Sequence, residues 1–401
     1  MISVKEAKNI ILNSTQDFGV EEIPFINSVG RILKEEIVAD RDFPPFNRVS
    51  MDGIAIDFKE FSSRLRSNRQ LTFKVEGIQA AGSEQLSLQN SENCIEVMTG
   101  AVLPNNADTV IRYEDVTIKN GIATINIDAI NEKQNVHNKG KDGKVGDVLI
   151  SESKIISAAE IGVLATVGKS IVKVAKQPKV MIVSTGDELV GVDEIPLEHQ
   201  IRRSNVFTLV SLLERLHISS ETAHITDDKP ILKEKIKGFL KEYDVLLFSG
   251  AVSKGKYDFL PEVFDELGVE KLFHKVAQRP GKPFFYGKTA DCNIFGFPGN
   301  PISTFVNCLA YFYPWYFKSV GVEPKEETAI LGEDVSFKPN LEYFLQVRLE
   351  SKFGHLVAFP IKGNGSGDLA SLVKTDAFIQ LPKKEEILFK KGEVFNIIRY
   401  R

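Results

Sequence analysis

The chain has 401 residues, 43% hydrophobic and 26% charged, with a formal net charge of −4. That balance describes an ordinary globular protein of about two to four domains, and it offers no basic footprint for nucleic acid or an anionic membrane. The three cysteines have no CxxC spacing and the six histidines no HExxH grouping, which excludes a structural zinc site and fits reduced thiols in a cytoplasmic protein.

In chain order, Ser3-x-x-Glu6 is a capping box that predicts a helix running to about residue 15. Lys5, Glu6 and Lys8 precede any apolar stretch, which argues against a signal peptide. Residues 49–136 alternate short strand-like runs, at 71–75, 94–98, 109–113 and 123–127, with turns such as Lys119-Asn120-Gly121. They predict a small β-rich domain inserted into a discontinuous one made of residues 1–48 and 137–176. The basic run 64–69 reads as a solvated loop, and Cys94 and Cys292 as core residues of strands. A second capping box, Ser157-x-x-Glu160, starts a helix carrying Ile161 and Leu164.

From Gln177-Pro178 the pattern becomes strand–helix alternation. Strands are expected at 179–184, 221–225, 244–248 and 292–297, and helices at 204–217, 230–242, 259–267 and 302–318. This is the grammar of a doubly wound parallel α/β sheet over 177–322, with a separate β domain over 323–401. The apolar run 305–317 contains Pro314 and is shorter than the roughly 20 residues that cross a bilayer; a core or subunit-contact helix is expected.

Ligands of open α/β sheets bind beyond the carboxyl ends of the strands, so the turns there carry the functional signal. The first is Ser184-Thr185-Gly186, followed at once by Asp187 and Glu188. The second, 250–257, nearly spells a P-loop, but Tyr257 stands where a Ser or Thr hydroxyl must bind magnesium. It reads as an anion-binding turn with Lys254 and Lys256 rather than a nucleoside-triphosphate site. The third is Pro298-Gly299-Asn300-Pro301, where Asn300 can cap a helix, Pro301 can open it, and the free N–H groups can receive an anion. A fourth bend, 278–283, carries Arg279 and Lys282.

Asp187, Glu188, Asp227, Asp228 and Asp258 enter the same domain. Two carboxylates about 4 Å apart repel by about 1 kcal/mol in water and about 4 kcal/mol at an effective dielectric of about 20. A cation between them removes that cost, and magnesium binds through one or two carboxylates plus substrate phosphates. Taken alone, Asp187 and Glu188 read better as a pair of charges at a helix N-terminus, and only the other turns favour the cation.

The segments PPFNRVSMDGIAI (44–56), MTGAVLPNNADTVIRYED (98–115), STGDEL (184–189), SGAVSKGKYDF (249–259), RPGKPFFYG (279–287) and GFPGNPIS (296–303) resemble, in order, the motifs of the molybdopterin molybdenumtransferases. That family includes the MoeA enzymes and the C-terminal domain of gephyrin. In the last region GNGSGDLASL (363–372) is the most similar stretch. The resemblance implies an α/β multidomain subunit, usually dimeric, with a doubly wound molybdopterin-binding sheet domain, an inserted β-rich domain, a discontinuous N-terminal domain and a C-terminal β-barrel-like domain.

It implies insertion of molybdate into adenylylated molybdopterin with release of AMP, assisted by Mg2+ or another divalent cation. The molybdopterin adenylyltransferase and acceptor molybdoenzymes are implied as protein partners. It places Asp52, Thr99, Asp142, Glu188, Asp228 and Asp258 at catalytic positions, with Glu188 and Asp258 as metal ligands. Ser249, Gly250, Ser253, Lys275, Arg279, Lys282, Pro298, Gly299, Asn300, Pro301, Ser366 and Ser371 are placed at substrate-binding positions. Three features depart from the family pattern: Arg279 stands where Lys is common, Ala251 where Gly is usual, and Lys139 and Lys141 precede Asp142. Two other roles are weighed against the insertase. A gephyrin-like scaffold would not need the intact acids Asp52, Glu188 and Asp258, and an adenylyltransferase would need only the sheet domain.

Overall fold

The structure, a computed structural model, describes residues 1–250, 259–323 and 326–401. The chain forms two compact units, one of residues 1–34, 153–157 and 171–401 and one of residues 35–152 and 158–170.

The first unit is built around a six-stranded sheet. Its order is Ser220–Ile225, Val180–Thr185, Val245–Ser249, Asn293–Phe297, Phe285–Lys288, Glu270–His274. The first four strands are parallel and the last two antiparallel. The sequence predicted the four parallel strands but not the two antiparallel ones. The segment between 270 and 297 makes direct returns without a crossover helix, and only antiparallel pairing permits that.

Strand Val180–Thr185 is buried along its whole length and faces two cores. Val180 and Ile182 pack with Val206, Leu209, Leu213 and Val306 from helices Asn205–Glu214 and Pro301–Asn307 on one side. Met181 and Val183 pack with Leu232, Ile236, Leu260 and Phe264 from helices Lys229–Glu242 and Leu260–Glu266 on the other. Alternate side chains point to opposite faces, so a continuous apolar run serves both layers.

Five strands of the C-terminal region, Glu327–Leu331, Glu342–Lys352, His355–Pro360, Ala377–Leu381 and Val394–Arg399, close into a barrel. The short strand Gln278–Arg279 pairs in parallel with Glu342–Lys352 at the barrel's edge. Val4–Leu12 is the expected N-terminal helix, and its Ser3/Glu6 capping box is formed in both directions. The expected single helix over 302–318 is instead two helices, Pro301–Asn307 and Tyr313–Ser319, joined by a π-helical turn over Cys308–Phe312. The turn precedes Pro314, whose missing N–H cannot continue the regular helical ladder. Most of this run is core, with Phe312 and Trp315 fully buried. No helix among the described residues is long and apolar enough to cross a membrane.

The second unit contains a six-stranded half-barrel sheet in the order Thr109–Arg112, Gly53–Ile56, Asn93–Val97, Thr72–Gln79, Ile122–Ile125, Val116–Lys119. The reading of 64–69 as a solvated loop is wrong at its most informative residue. Arg64 lies on helix Phe58–Arg66 and is only 9% exposed. Its guanidinium sits 4.4 Å over the Phe73 ring, pairs with Glu60 at 2.7 Å and donates to the carbonyls of Thr72 and Glu92. The planar five-donor fork can satisfy carboxylate, carbonyls and ring at once, which is how a charge enters a core. Cys94, Cys292 and Cys308 are all buried free thiols; burial pushes Cys94 and Cys292 up to about 12.

Candidate functional site

The chain runs from Val180–Thr185 outward to Ser220–Ile225 in one direction and to Val245–Ser249 and Asn293–Phe297 in the other. This reversal is the topological switch point at which open α/β sheets bind ligands. A cavity of about 590 Å³ lies there, lined by the strand-end turns Ser184–Gly186, Ser249–Gly250 and Pro298–Pro301, with Glu188, Asp227, Arg203 and Asn205.

Local chemistry explains how the turns meet. Gly186 has φ +129, a backbone conformation that L side chains rarely adopt, and glycine also leaves room there for the Glu188 carboxylate. The Gly250 N–H donates to Phe297 O at 3.1 Å, joining the second turn to the third. Asn205, the first residue of its helix, donates through Nδ2 to Ser249 Oγ at 2.8 Å and to Gly299 O at 2.7 Å. One amide therefore ties two turns to a third element. The Ile302 N–H donates to Ser366 O at 3.1 Å, bringing the 363–372 segment to the start of helix Pro301–Asn307, and Gly367 lines the cavity.

Of the expected residues, Glu188, Ser249, Gly250, Pro298, Gly299, Asn300 and Pro301 line this cavity. Asn300 occupies the N-cap position but makes no side-chain cap bond. Asp228 caps helix Lys229–Glu242, accepting from Ile231 N at 3.0 Å, and its neighbour Asp227 is the cavity-lining acid of that pair. Asp187 accepts from Asp227 N at 3.2 Å, which holds the two acidic turns together.

Lys275, Arg279 and Lys282 are not among the cavity-lining residues. Lys275 has φ +85, and Arg279 and Lys282 are exposed on the bend beside the barrel strand. Ser366 contributes its carbonyl as described. Ser371 is 5% exposed and satisfied by Gln346 and Asp368 O, away from the cavity. Ser253 and Asp258, with Lys254 and Lys256, lie outside the described residues. Asp52, Thr99 and Asp142 lie in the second unit. There Thr99 N donates to Asp52 at 2.6 Å, and this bond, with the Thr99 hydroxyl, holds the Asp52 carboxyl below the usual carboxylate range. Both Asp142 oxygens lie 2.8 Å from His137 Nε2.

Sequence reasoning missed Arg203 and Asn205, and named Thr185 only as part of the first turn. The hydroxyl of Thr185, Nε of Arg203 and Oδ1 of Asn205 are buried without a hydrogen-bond partner among the described residues. His224 lies beneath the first turn, its Nδ1 3.1 Å from Ser184 Oγ; burial first, then the Arg203 cation, hold its ring below its ordinary value. No group of three or more metal-ligating side chains occurs among the described residues. Glu188 and Asp227 in one cavity match the one or two carboxylates that magnesium takes when phosphate supplies its other ligands.

Residues 2–168 match the family model described as the MoeA N-terminal region (domain I and II), 181–315 the probable molybdopterin binding domain, and 328–400 the MoeA C-terminal region (domain IV). A molybdopterin molybdenumtransferase of Synechocystis is 39% identical over 98% of this chain and 99% of its own. One of Staphylococcus aureus is 30% identical over 99% of this chain and 95% of its own. A crystal structure of the molybdopterin biosynthesis MoeA protein of Pyrococcus horikoshii superposes with a TM-score of 0.85 at 27% identity, covering 100% of both chains. With its three regions matched in order and a cavity at the switch point of the molybdopterin-binding sheet, the chain belongs to the molybdopterin molybdenumtransferase family.

Proposed function

We propose that the protein is a transferase of molybdenum cofactor biosynthesis that inserts molybdenum into molybdopterin. Molybdate and adenylylated molybdopterin are the substrates and AMP a product. The observation that carries the reading is the switch-point cavity, where glycine and proline turns that can cradle phosphate meet Glu188 and Asp227. Opening a phosphoanhydride develops negative charge on oxygen, and preorganised N–H donors and cations lower that barrier. Glu188 and Asp227 would hold a divalent cation, which would spread the developing charge when bound. Asp258 is proposed to join them. The chain's own donors would orient the nucleotide and keep the phosphate beside the acids.

Asp52, Thr99 and Asp142 are proposed to serve the same reaction from a second copy of the chain in a homodimer. The division into a discontinuous domain (1–48 and 137–176), an inserted domain (49–136), a sheet domain (177–322) and a β domain (323–401) is proposed to underlie that assembly. A cytoplasmic location fits the buried free cysteines, and molybdopterin adenylyltransferase and acceptor molybdoenzymes are proposed as partners. Incubation of the purified protein with adenylylated molybdopterin, molybdate and Mg2+ tests the reading. AMP release coupled to formation of active cofactor is expected; no AMP with any divalent cation would refute it.

A further inference from the structure

Asn-Gly dipeptides stand at 120–121 and 364–365. Asparagine is a thermolabile residue, and before glycine it is most so, because no side chain hinders attack of the next backbone nitrogen on its Cγ. All four residues are exposed, so what separates the two pairs is how the backbone is held. Asn120 and Gly121, with φ 51 and φ 75, are the central residues of a hairpin turn between the paired Lys119 and Ile122. The Gly121 carbonyl also accepts from Val75 N at 2.9 Å. Attack needs the backbone to rotate, and the strand pairing beside this turn resists that. Asn364 and Gly365 belong to no strand or helix. Gly365 has φ +115 with open space where a Cβ would stand, and its N–H has no acceptor among the described residues. Asn364 is held by Asp368 alone, whose Oδ2 accepts from its N at 3.0 Å and from its Nδ2 at 3.3 Å.

We propose that Asn364 is a site of spontaneous deamidation, and that its conversion loosens the start of helix Pro301–Asn307. The Gly365 nitrogen gives its proton to solvent base and bonds to Asn364 Cγ. The bond from Cγ to the amide nitrogen breaks and ammonia leaves, which closes a succinimide ring. Water then opens the ring at either carbonyl to give aspartate or isoaspartate; one water is consumed, one ammonia is released and nothing is oxidised. Either product puts a carboxylate where an amide donated to Asp368, and like charges that close repel. Asp368 also caps the 3-10 helix Leu369–Lys374, accepting from Ser371 N at 3.3 Å. The turn between them hands Ser366 O to Ile302 N and sets Gly367 against the cavity. Repulsion across this turn therefore acts on the bond that holds Ile302.

The full chain is aged at mildly alkaline and at mildly acidic pH and mapped by peptide mass spectrometry, with isoaspartate detected by enzymatic methylation. Asn364 is expected to convert at least about tenfold faster than Asn120, whose hairpin bonds must open first, and faster in alkali than in acid. Conversion of Asn120 at an equal rate, or no conversion of Asn364, overturns the site. Its effect is read by hydrogen exchange of the Ile302 amide in Asn364→Asp, which reproduces the aged side chain, against Asn364→Gln, which keeps the amide. Exchange about fivefold faster in Asn364→Asp is expected, the loss of about one hydrogen bond; equal exchange overturns the loosening. Titration with AMP adds an arm that alone rests on the proposed function, with Asn364→Asp expected to bind about fivefold more weakly than Asn364→Gln. If conversion and exchange behave as expected but fresh wild type binds no AMP, the modification stands and the nucleotide reading of the cavity fails. Equal AMP affinity in the two variants overturns an effect on the cavity and leaves that reading intact.

Discussion

Replacing Gly281 by Ala tests how the 278–283 bend is held. Gly281 has φ +87, and a Cβ there would lie 2.6 Å from Asn307 Oδ1, 2.8 Å from its Nδ2 and 2.9 Å from Gln278 Nε2. These atoms belong to a buried network. Gln278 Nε2 donates to Asn307 Oδ1 at 2.7 Å and to Pro280 O at 2.9 Å, Asn307 Nδ2 donates to Gly281 O at 3.3 Å, and the Tyr311 hydroxyl donates to Gln278 Oε1. A left-handed non-glycine residue costs about 1–2 kcal/mol. Displacing the Asn307 amide breaks two further bonds at about 1 kcal/mol each. The total loss is about 3–4 kcal/mol.

The single Trp315 is fully buried in the same core, so urea unfolding followed by its fluorescence reports this unit. In an Asn307→Ala background the two contacts with the Asn307 amide are absent and Gln278 Nε2, released from Asn307, can move aside, so the added cost of Gly281→Ala should fall towards the backbone part, about 1–2 kcal/mol. Equal costs in both backgrounds, or a loss in the single variant below about 1 kcal/mol, would refute the reasoning.

Four further outcomes are expected. Arg64→Ala should destabilise the second unit by about 2–3 kcal/mol, because it leaves Glu60 with Arg69 alone, strands two carbonyls and empties the face of Phe73; differential scanning calorimetry measures it, and a change below about 0.5 kcal/mol would contradict the packing. Cys94 and Cys292 should resist iodoacetamide in the native protein at neutral pH, since burial pushes both thiols up to about 12; labelling ahead of unfolding, read by mass spectrometry, would count against it. His224 should titrate below its ordinary 6.5 by NMR. Between that depressed value and 6.5 the unfolded chain binds more protons than the native one, so stability falls as pH drops through this window and His224→Gln should flatten the slope. Glu188→Ala should abolish turnover while circular dichroism and the thermal midpoint stay near wild type, and retained turnover would remove Glu188 from the chemistry.

The parts of the fold that were readable were those with strong periodicity or punctuation. The Ser3/Glu6 box, the β-branched run at 180–183 and the glycine turns after 184, 249 and 297 all mark elements that the structure contains. The antiparallel strands Glu270–His274 and Phe285–Lys288 were not readable, because one is half charged and the other is interrupted by Gly287. Arg64 was misread because a charge run ordinarily marks a solvated face, and the Phe73 ring and the carbonyls of Thr72 and Glu92 that help make its burial favourable lie outside its own helix. At the site, glycine, proline and acid motifs pointed to the right turns. Thr185 stood within the first of those turns, whereas Arg203 and Asn205 carried no motif and are brought to the cavity only by the fold.

The central claim is that acids crowd beside anion-cradling turns at the switch point because a cation and a phosphorylated ligand occupy the space between them. A crystal structure of the protein grown with AMP, molybdate and Mg2+ tests it most directly. The account predicts nucleotide density in the cavity lined by Glu188, Asp227 and the Pro298–Pro301 turn, with a cation against Glu188. Density for the nucleotide elsewhere on the protein, with Glu188 turned away from both guests, would contradict it.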